Sequence, residues 1–224
     1  MATDAIEKLD VVKACQALGA KGLGSGIGGH VSRKSPDLDA FWINAFDRTL
    51  AEVTEEDVLL VDYDGNLLEG SREISKGFEF HPAIYQNRKD VTAIVHTHGF
   101  WGTALAGLAR PLKIRHNLAC FFHEDQALSP DDSFGSIGEA IGAANTIVIP
   151  WHGCITVGTT IGRATALHVT LEEMAKLDVT LEPSDAPDIP YEWRSRIKNL
   201  VDIQAGYLEQ TWDLICREAG IEAN

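Results

Sequence analysis

Basic residues are scarce in this chain. Its 19 Lys and Arg stand against 33 Asp and Glu, for a formal net charge of -14 over 224 residues. That balance argues against nucleic acid or an anionic membrane surface as the main partner, since both are gripped through basic patches. A small anionic substrate stays open, because a bound cation and a few local Lys or Arg reverse the field where they stand. Long apolar runs are missing too, and none approaches the ~20 residues of a membrane span. The opening Met1-Ala2-Thr3-Asp4 lacks a basic region followed by an apolar stretch, so no signal peptide is expected. Cysteine is limited to Cys15, Cys120, Cys154 and Cys216, without metal or redox spacing. These read as reduced core residues of a cytoplasmic protein. No internal repeat or low-complexity segment is visible. The 45% apolar and 23% charged content is that of an ordinary globular protein. The length suits a single domain over 1–224, with a core of about 5–180, a linker at 181–190 and a C-terminal helix at 191–217.

The chemistry concentrates in Thr92-Ala93-Ile94-Val95-His96-Thr97-His98. This β-branched run, ended by Gly99, reads as a short buried strand. Residues two apart on a strand share a face, so His96 and His98 project together and Thr97 points away. Such a pair fits an ordinary hydrogen-bonded core as well as a metal site, and an open catalytic centre needs a third ligand. His152 is the candidate. It follows the run Thr146-Ile147-Val148-Ile149 and precedes Gly153, which is expected to turn the chain sharply at the strand end.

Elsewhere residues 3–18 read as an amphipathic helix capped by Thr3, with Ile6, Leu9, Val12 and Cys15 near one face. The loop Gly22-Leu23-Gly24-Ser25-Gly26-Ile27-Gly28-Gly29-His30 lacks the Lys-Ser/Thr ending of a Walker loop and leads into a strand. It therefore reads as a turn that lets backbone approach a small ligand. Strands are predicted at 40–43 and 57–62, followed by an Asp64-Gly65 hairpin turn, and a helix at 79–88 with Pro82 in its first turn. Ser75-Lys76-Gly77 just ahead of that helix offers backbone N–H groups and a cation to an anion, or is a solvated loop. Residues 110–135 have little periodicity and carry His116, His123, Glu124 and Asp125. Ser136-Ile137-Gly138-Glu139 resembles a capping box. A helix follows at 160–177, on which His168 and Glu172 are spaced to pair. The 191–217 helix carries an apolar stripe suited to packing on the body or on a neighbouring subunit.

Four blocks together resemble the class II aldolase/adducin family. They are Gly28-Gly29-His30-Val31-Ser32-Arg33, the stretch from Val53 to Gly65, His81-Pro82-Ala83-Ile84-Tyr85 through to His96-Thr97-His98, and Trp151-His152-Gly153 with Val157-Gly158. The resemblance implies an α/β fold: a three-layer α/β/α arrangement around a largely antiparallel central sheet. It also implies a homotetramer with sites near subunit interfaces, and a divalent metal on His96, His98 and His152. Zn(II) is the expected ion, with Mn(II), Co(II) or Fe(II) as alternatives.

The family's sugar-phosphate aldolases carry an acid/base glutamate four residues before the histidine matching His81, and here that position is Gly77. Their phosphate-gripping residues also differ, with His30 where they have asparagine and Ser75-Lys76 where they have a Ser-Ser pair. These departures resemble the adducin-like branch. The expected activity is a metal-dependent lyase, an aldehyde-lyase or decarboxylase acting on a small, unphosphorylated oxo- or hydroxy-acid or sugar-derived substrate. His30, His123 and Tyr85 are the candidate proton-transfer residues, and Gly29, Arg33, Ser75, Lys76 and Gly77 the candidate substrate-binding positions. A sugar-phosphate epimerase, an iron-dependent oxygenase and a non-catalytic adducin-like module are the alternatives.

Overall fold

A computed structural model describes residues 2–24 and 26–223, with side chains from residue 5 onward; Ser25 and the side chain of Thr3, the expected cap, lie outside what is described. The elements are α1 (Ala2–Ala20), β1 (His30–Lys34), β2 (Ala40–Asn44), β3 (Val58–Asp62), β4 (Leu67–Glu69), α2 (Phe80–Asn87) and β5 (Ala93–Thr97). They continue with α3 (Phe100–Gly107), β6 (Gln126–Leu128), α4 (Phe134–Ala140), β7 (Thr146–Ile149), β8 (Gly153–Gly158), α5 (Ile161–Leu181), α6 (Tyr191–Asn199) and α7 (Tyr207–Glu218). Eight strands form one sheet in the order β4-β3-β2-β1-β5-β8-β7-β6. Every pairing is antiparallel except β6 with β7.

Strand periodicity divides the core into two layers. Val31, Trp42, Leu60, Ala93 and Val95 face α1, α3, α5 and α7. Phe41, Ile43, Leu59, Ile94, Ile155 and Val157 face α2 and α4. The result is a three-layer α/β/α sandwich whose β5, buried on both faces, is built of the β-branched and small residues that such a position favours. Each fully buried large apolar side chain contributes about 1.5–3 kcal/mol. Among the described residues no helix is long and apolar enough to cross a membrane. All four cysteines are free and buried.

Several local expectations are corrected. On α1, Ile6 and Leu9 are exposed while Glu7 and Asp10 are buried, because Asp10 turns inward to ion-pair with Arg33. Helix α4 starts at Phe134, with Ser133 as its N-cap, so Ser136 sits inside the first turn. The aperiodic 110–135 stretch contains a 3-10 turn, Leu118–Phe122, and the parallel strand β6. The single helix expected at 191–217 is interrupted by a π turn at Leu200–Gln204 and by Gly206, whose φ of 56° breaks the run.

Candidate metal centre

His96 ends up beside His30, its cross-strand partner on β1, and both rings face α2. His98 follows at the end of β5, and His152 sits in the turn between β7 and β8. One ligand nitrogen from each of His96, His98 and His152 lies within 4.8 Å of the others, the arrangement that can hold a metal ion.

Hydrogen bonding fixes which nitrogens are offered. The Nδ1–H of His96 donates to the Cys154 carbonyl at 3.0 Å. A carbonyl only accepts, so His96 Nε2 is left as a bare lone pair. The Nδ1–H of His152 likewise donates to Asp132 Oδ1 at 2.5 Å, which leaves Nε2 as the nitrogen it can offer. His98 Nε2 stands 3.0 Å from His96 Nε2. A proton or a cation must lie between two such nitrogens, and an outer-shell carboxylate and carbonyl behind the ligands are what metal-binding imidazoles use. Burial lowers the pKa of His96 well below the ordinary histidine value, and burial followed by the nearby His152 lowers that of His98. Both shifts favour the neutral ring, the form that ligates. The donor set fits a divalent cation.

The surrounding backbone is shaped to this cluster. A Cβ on Gly28 would lie 2.5 Å from His98 Nδ1, and one on Gly153 would crowd both His96 and His98 at 3.3 Å. The sharp turn belongs not to Gly153 but to Trp151, a non-glycine residue at φ 59° that is 79% exposed. Behind β5, Thr97 Oγ1 bonds His168 Nε2 at 2.8 Å, and Thr156 Oγ1 lies 3.1 Å from His168 Nδ1. Glu172 accepts from the backbone N–H groups of Trp101 and Gly102 at the start of α3. His168 and Glu172 thus brace the metal strand and the next helix instead of pairing with each other.

Two cavities meet at the histidines. One, of about 330 Å³, is lined by Gly28, His30, Lys76, Gly77, Asp132 and the rings of Phe46, Phe80 and Phe134. The other, of about 620 Å³, lies against Phe100, Thr103 and Gly22. Of the expected proton-transfer residues, only His30 lines the first cavity. Tyr85 is fully buried behind Ser32. His123 packs edge-on against Tyr191 and lines a separate cavity with Lys198 and Asn199.

Among the expected substrate-binding positions, Lys76 and Gly77 line the cavity, with Lys76 ion-paired to Glu73 and lying over the Phe46 ring. The carbonyl of Gly29 accepts from Asn44 Nδ2, and Ser75 Oγ donates to the Asn44 carbonyl, so both hold the loop together. Arg33 points to the opposite face of the sheet, where it binds Asp10 and the Thr92 carbonyl and cannot reach the cavity. Asp132, Ser32 and His81 were not singled out by type and spacing. Their connection to the site is purely spatial, although Asp132 lies in the aperiodic 110–135 stretch, and a loop of that length is often functional or at an interface.

The fold and the three-imidazole cluster define an α/β sandwich protein with an open histidine centre. Residues 9–179 match the Class II Aldolase and Adducin N-terminal domain, and the chain belongs to that family. An L-fuculose phosphate aldolase of Methanococcus maripaludis is 32% identical over 171 residues, covering 75% of this chain and 92% of that protein. Decarboxylase NovR of Streptomyces niveus is 27% identical over 75% of this chain and 66% of its own length. Among solved structures, an L-fuculose 1-phosphate aldolase from Glaciozyma antarctica superposes with a TM-score of 0.88. It is 29% identical, and the match covers 96% of this chain and 90% of that one.

Proposed function

We propose that the protein is a divalent-metal-dependent lyase, an aldehyde-lyase or decarboxylase. Its substrate is a small, unphosphorylated oxo- or hydroxy-acid, broken at the C–C bond beside an oxygen that can chelate the ion. The observation that carries this reading is the convergence of three imidazoles on a cavity with room for a substrate. His96, His98 and His152 would hold the metal, Zn(II) first among the candidates; when bound it supplies Lewis-acid stabilisation of the negative charge that bond cleavage places on oxygen.

The chain's own residues do the rest. His30 is the proposed acid/base or hydrogen-bonding group, since it alone of the three candidates faces the cavity. Lys76 orients a carboxylate, and Gly77 leaves the floor open where the family's aldolases carry glutamate, which supports placement in the adducin-like branch. Phe46, Phe80 and Phe134 favour an aromatic substituent and exclude water from the reacting carbon. A homotetramer with sites at subunit boundaries belongs to the same proposal, and the exposure of Phe100 (73%) next to His98 supports it.

Metal-loaded protein should be offered aromatic and aliphatic 2-oxo- and 2-hydroxy-acids alongside L-fuculose 1-phosphate, with carbonyl product and CO2 both measured. Cleavage of an unphosphorylated acid is expected. Turnover of the sugar phosphate alone, uptake of oxygen with iron, or no turnover with any metal would replace this reading. Those outcomes point in turn to an aldolase or epimerase, to an oxygenase, and to a non-catalytic module.

A further inference from the structure

A string of buried hydrogen bonds ends at the cavity. Tyr85 Oη lies 2.7 Å from Ser32 Oγ, and Ser32 Oγ lies 2.6 Å from His81 Nδ1. His81 Nε2 is 2.7 Å from His30 Nδ1. The remaining nitrogen of His30, Nε2, looks toward Gly77, where an added Cβ would sit 3.8 Å away. Tyr85, Ser32 and His81 are wholly enclosed, and His30 is 4% exposed.

Only one direction of donation satisfies every member. In it the Tyr85 hydroxyl donates to Ser32, Ser32 donates to His81 Nδ1, and His81 Nε2–H donates to His30 Nδ1. His30 is then left with its proton on Nε2, facing the cavity. In the reverse direction His30 Nδ1–H donates to His81 and His81 Nδ1–H donates to Ser32. Among the described residues, Ser32 and Tyr85 then have two hydroxyl protons and only each other as acceptors, so one proton stays unpaired in the interior. Buried hydroxyls avoid that arrangement. The hydroxyl of Tyr63, whose ring stacks against Tyr85, has no hydrogen-bond partner among the described residues and does not close the string.

We infer that His81, backed by Ser32 and Tyr85, is a positioning residue that locks His30 as the Nε2–H tautomer, so that His30 presents a hydrogen-bond donor to the cavity it lines together with the three metal-site histidines. The proton stays on Nε2 while negative charge grows on the substrate oxygen, which is how a neutral imidazole serves as an electrophile. Gly77 matters for the same reason: with no side chain there, the space in front of Nε2 is left to the substrate. The inference rests on the lyase reading for its use in catalysis, but not for the tautomer itself.

The test is a long-range proton–nitrogen NMR correlation on zinc-loaded protein with 15N-labelled histidine, assigned with His30→Phe and His81→Phe. Wild type should show His30 protonated at Nε2 and bare at Nδ1, and His81→Phe should shift it toward a mixture. His30 protonated at Nδ1 in the wild type would overturn the inference whether or not any substrate is found. With an acid that wild type cleaves, His81→Phe should lower kcat about a hundredfold, the scale of a misplaced reacting group, with KM and zinc content within about twofold. His81→Gln, whose amide can still donate to His30 Nδ1, should recover most of the loss. Wild-type kcat in His81→Phe would sink the positioning role while leaving the lyase proposal standing. Absence of turnover in wild type would sink the lyase proposal, and the tautomer would still decide this one.

Discussion

Replacing Asp132 with alanine should weaken zinc binding about tenfold without loosening the fold. Asp132 accepts the Nδ1–H of His152 at 2.5 Å, which holds the ring in the tautomer and orientation that offer Nε2. Removing a carboxylate behind a metal-bound histidine costs about 10–100-fold in affinity. Here the Asp132 side chain is 64% exposed and His152 is 29% exposed, so water replaces part of the lost bond and salt screens the charge. The low end of the range applies: about tenfold in Kd, or about 1.4 kcal/mol. Asp132→Asn keeps an acceptor oxygen but loses the charge, and should fall between wild type and alanine. Titrating apoprotein with zinc against a chromophoric chelator, at low and moderate ionic strength, gives all three constants. The urea midpoint of the apoprotein should not move, because the exposed carboxylate supports little else. A Kd for Asp132→Ala within about twofold of wild type at low salt would refute the reasoning, and so would an equal loss in Asp132→Asn.

Trp151 adopts φ 59° with most of its side chain in solvent, so Trp151→Asn, a residue at ease in that conformation, should stabilise the chain by about 1 kcal/mol. Calorimetry should show Tm rising by about 2–4 °C; a fall would mean the indole is buried against a neighbouring subunit. Glu172→Ala removes two charge-assisted bonds to the first N–H groups of α3 and should cost about 1.5–3 kcal/mol in a urea titration. His168, enclosed between Thr97 and Thr156, has its pKa lowered by burial from 6.5 to about 3. The unfolded chain therefore binds the extra proton between those values. Its contribution is complete above pH 6.5 and declines by about 1.4 kcal/mol per pH unit toward pH 3. His168→Gln should flatten the stability profile in that window, and an unchanged slope would rule this histidine out as its source.

Much of the centre was readable because it rests on strand alternation. His96 and His98 share a face by spacing, Thr97 opposes them, and the β-branched runs before His96 and His152 announce β5 and β7. What was unreadable depends on contacts between distant segments. Arg33, three residues after His30 on β1, faces the other side of the sheet by that same alternation, and Asp10, on a helix whose apolar stripe predicted the wrong inward face, holds it there. His168 and Glu172 have ideal spacing for a helical pair, yet Thr97 and the start of α3 offer better-buried partners. His81 lies about fifty residues from His30 and Ser32, and no periodicity links them; only the pairing of β1 with β5 and the packing of α2 do. The interruption at Gly206 was equally hidden, since a permissive residue inside a periodic stretch does not say which conformation it will take.

The most direct test of the central claim is the metal content of protein purified without added metal, compared with His96→Ala and His152→Ala. The account predicts close to one divalent ion per folded chain, lost from both variants while circular dichroism stays native. Wild-type protein that is metal-free and takes up no zinc, or variants that keep their ion, would contradict it.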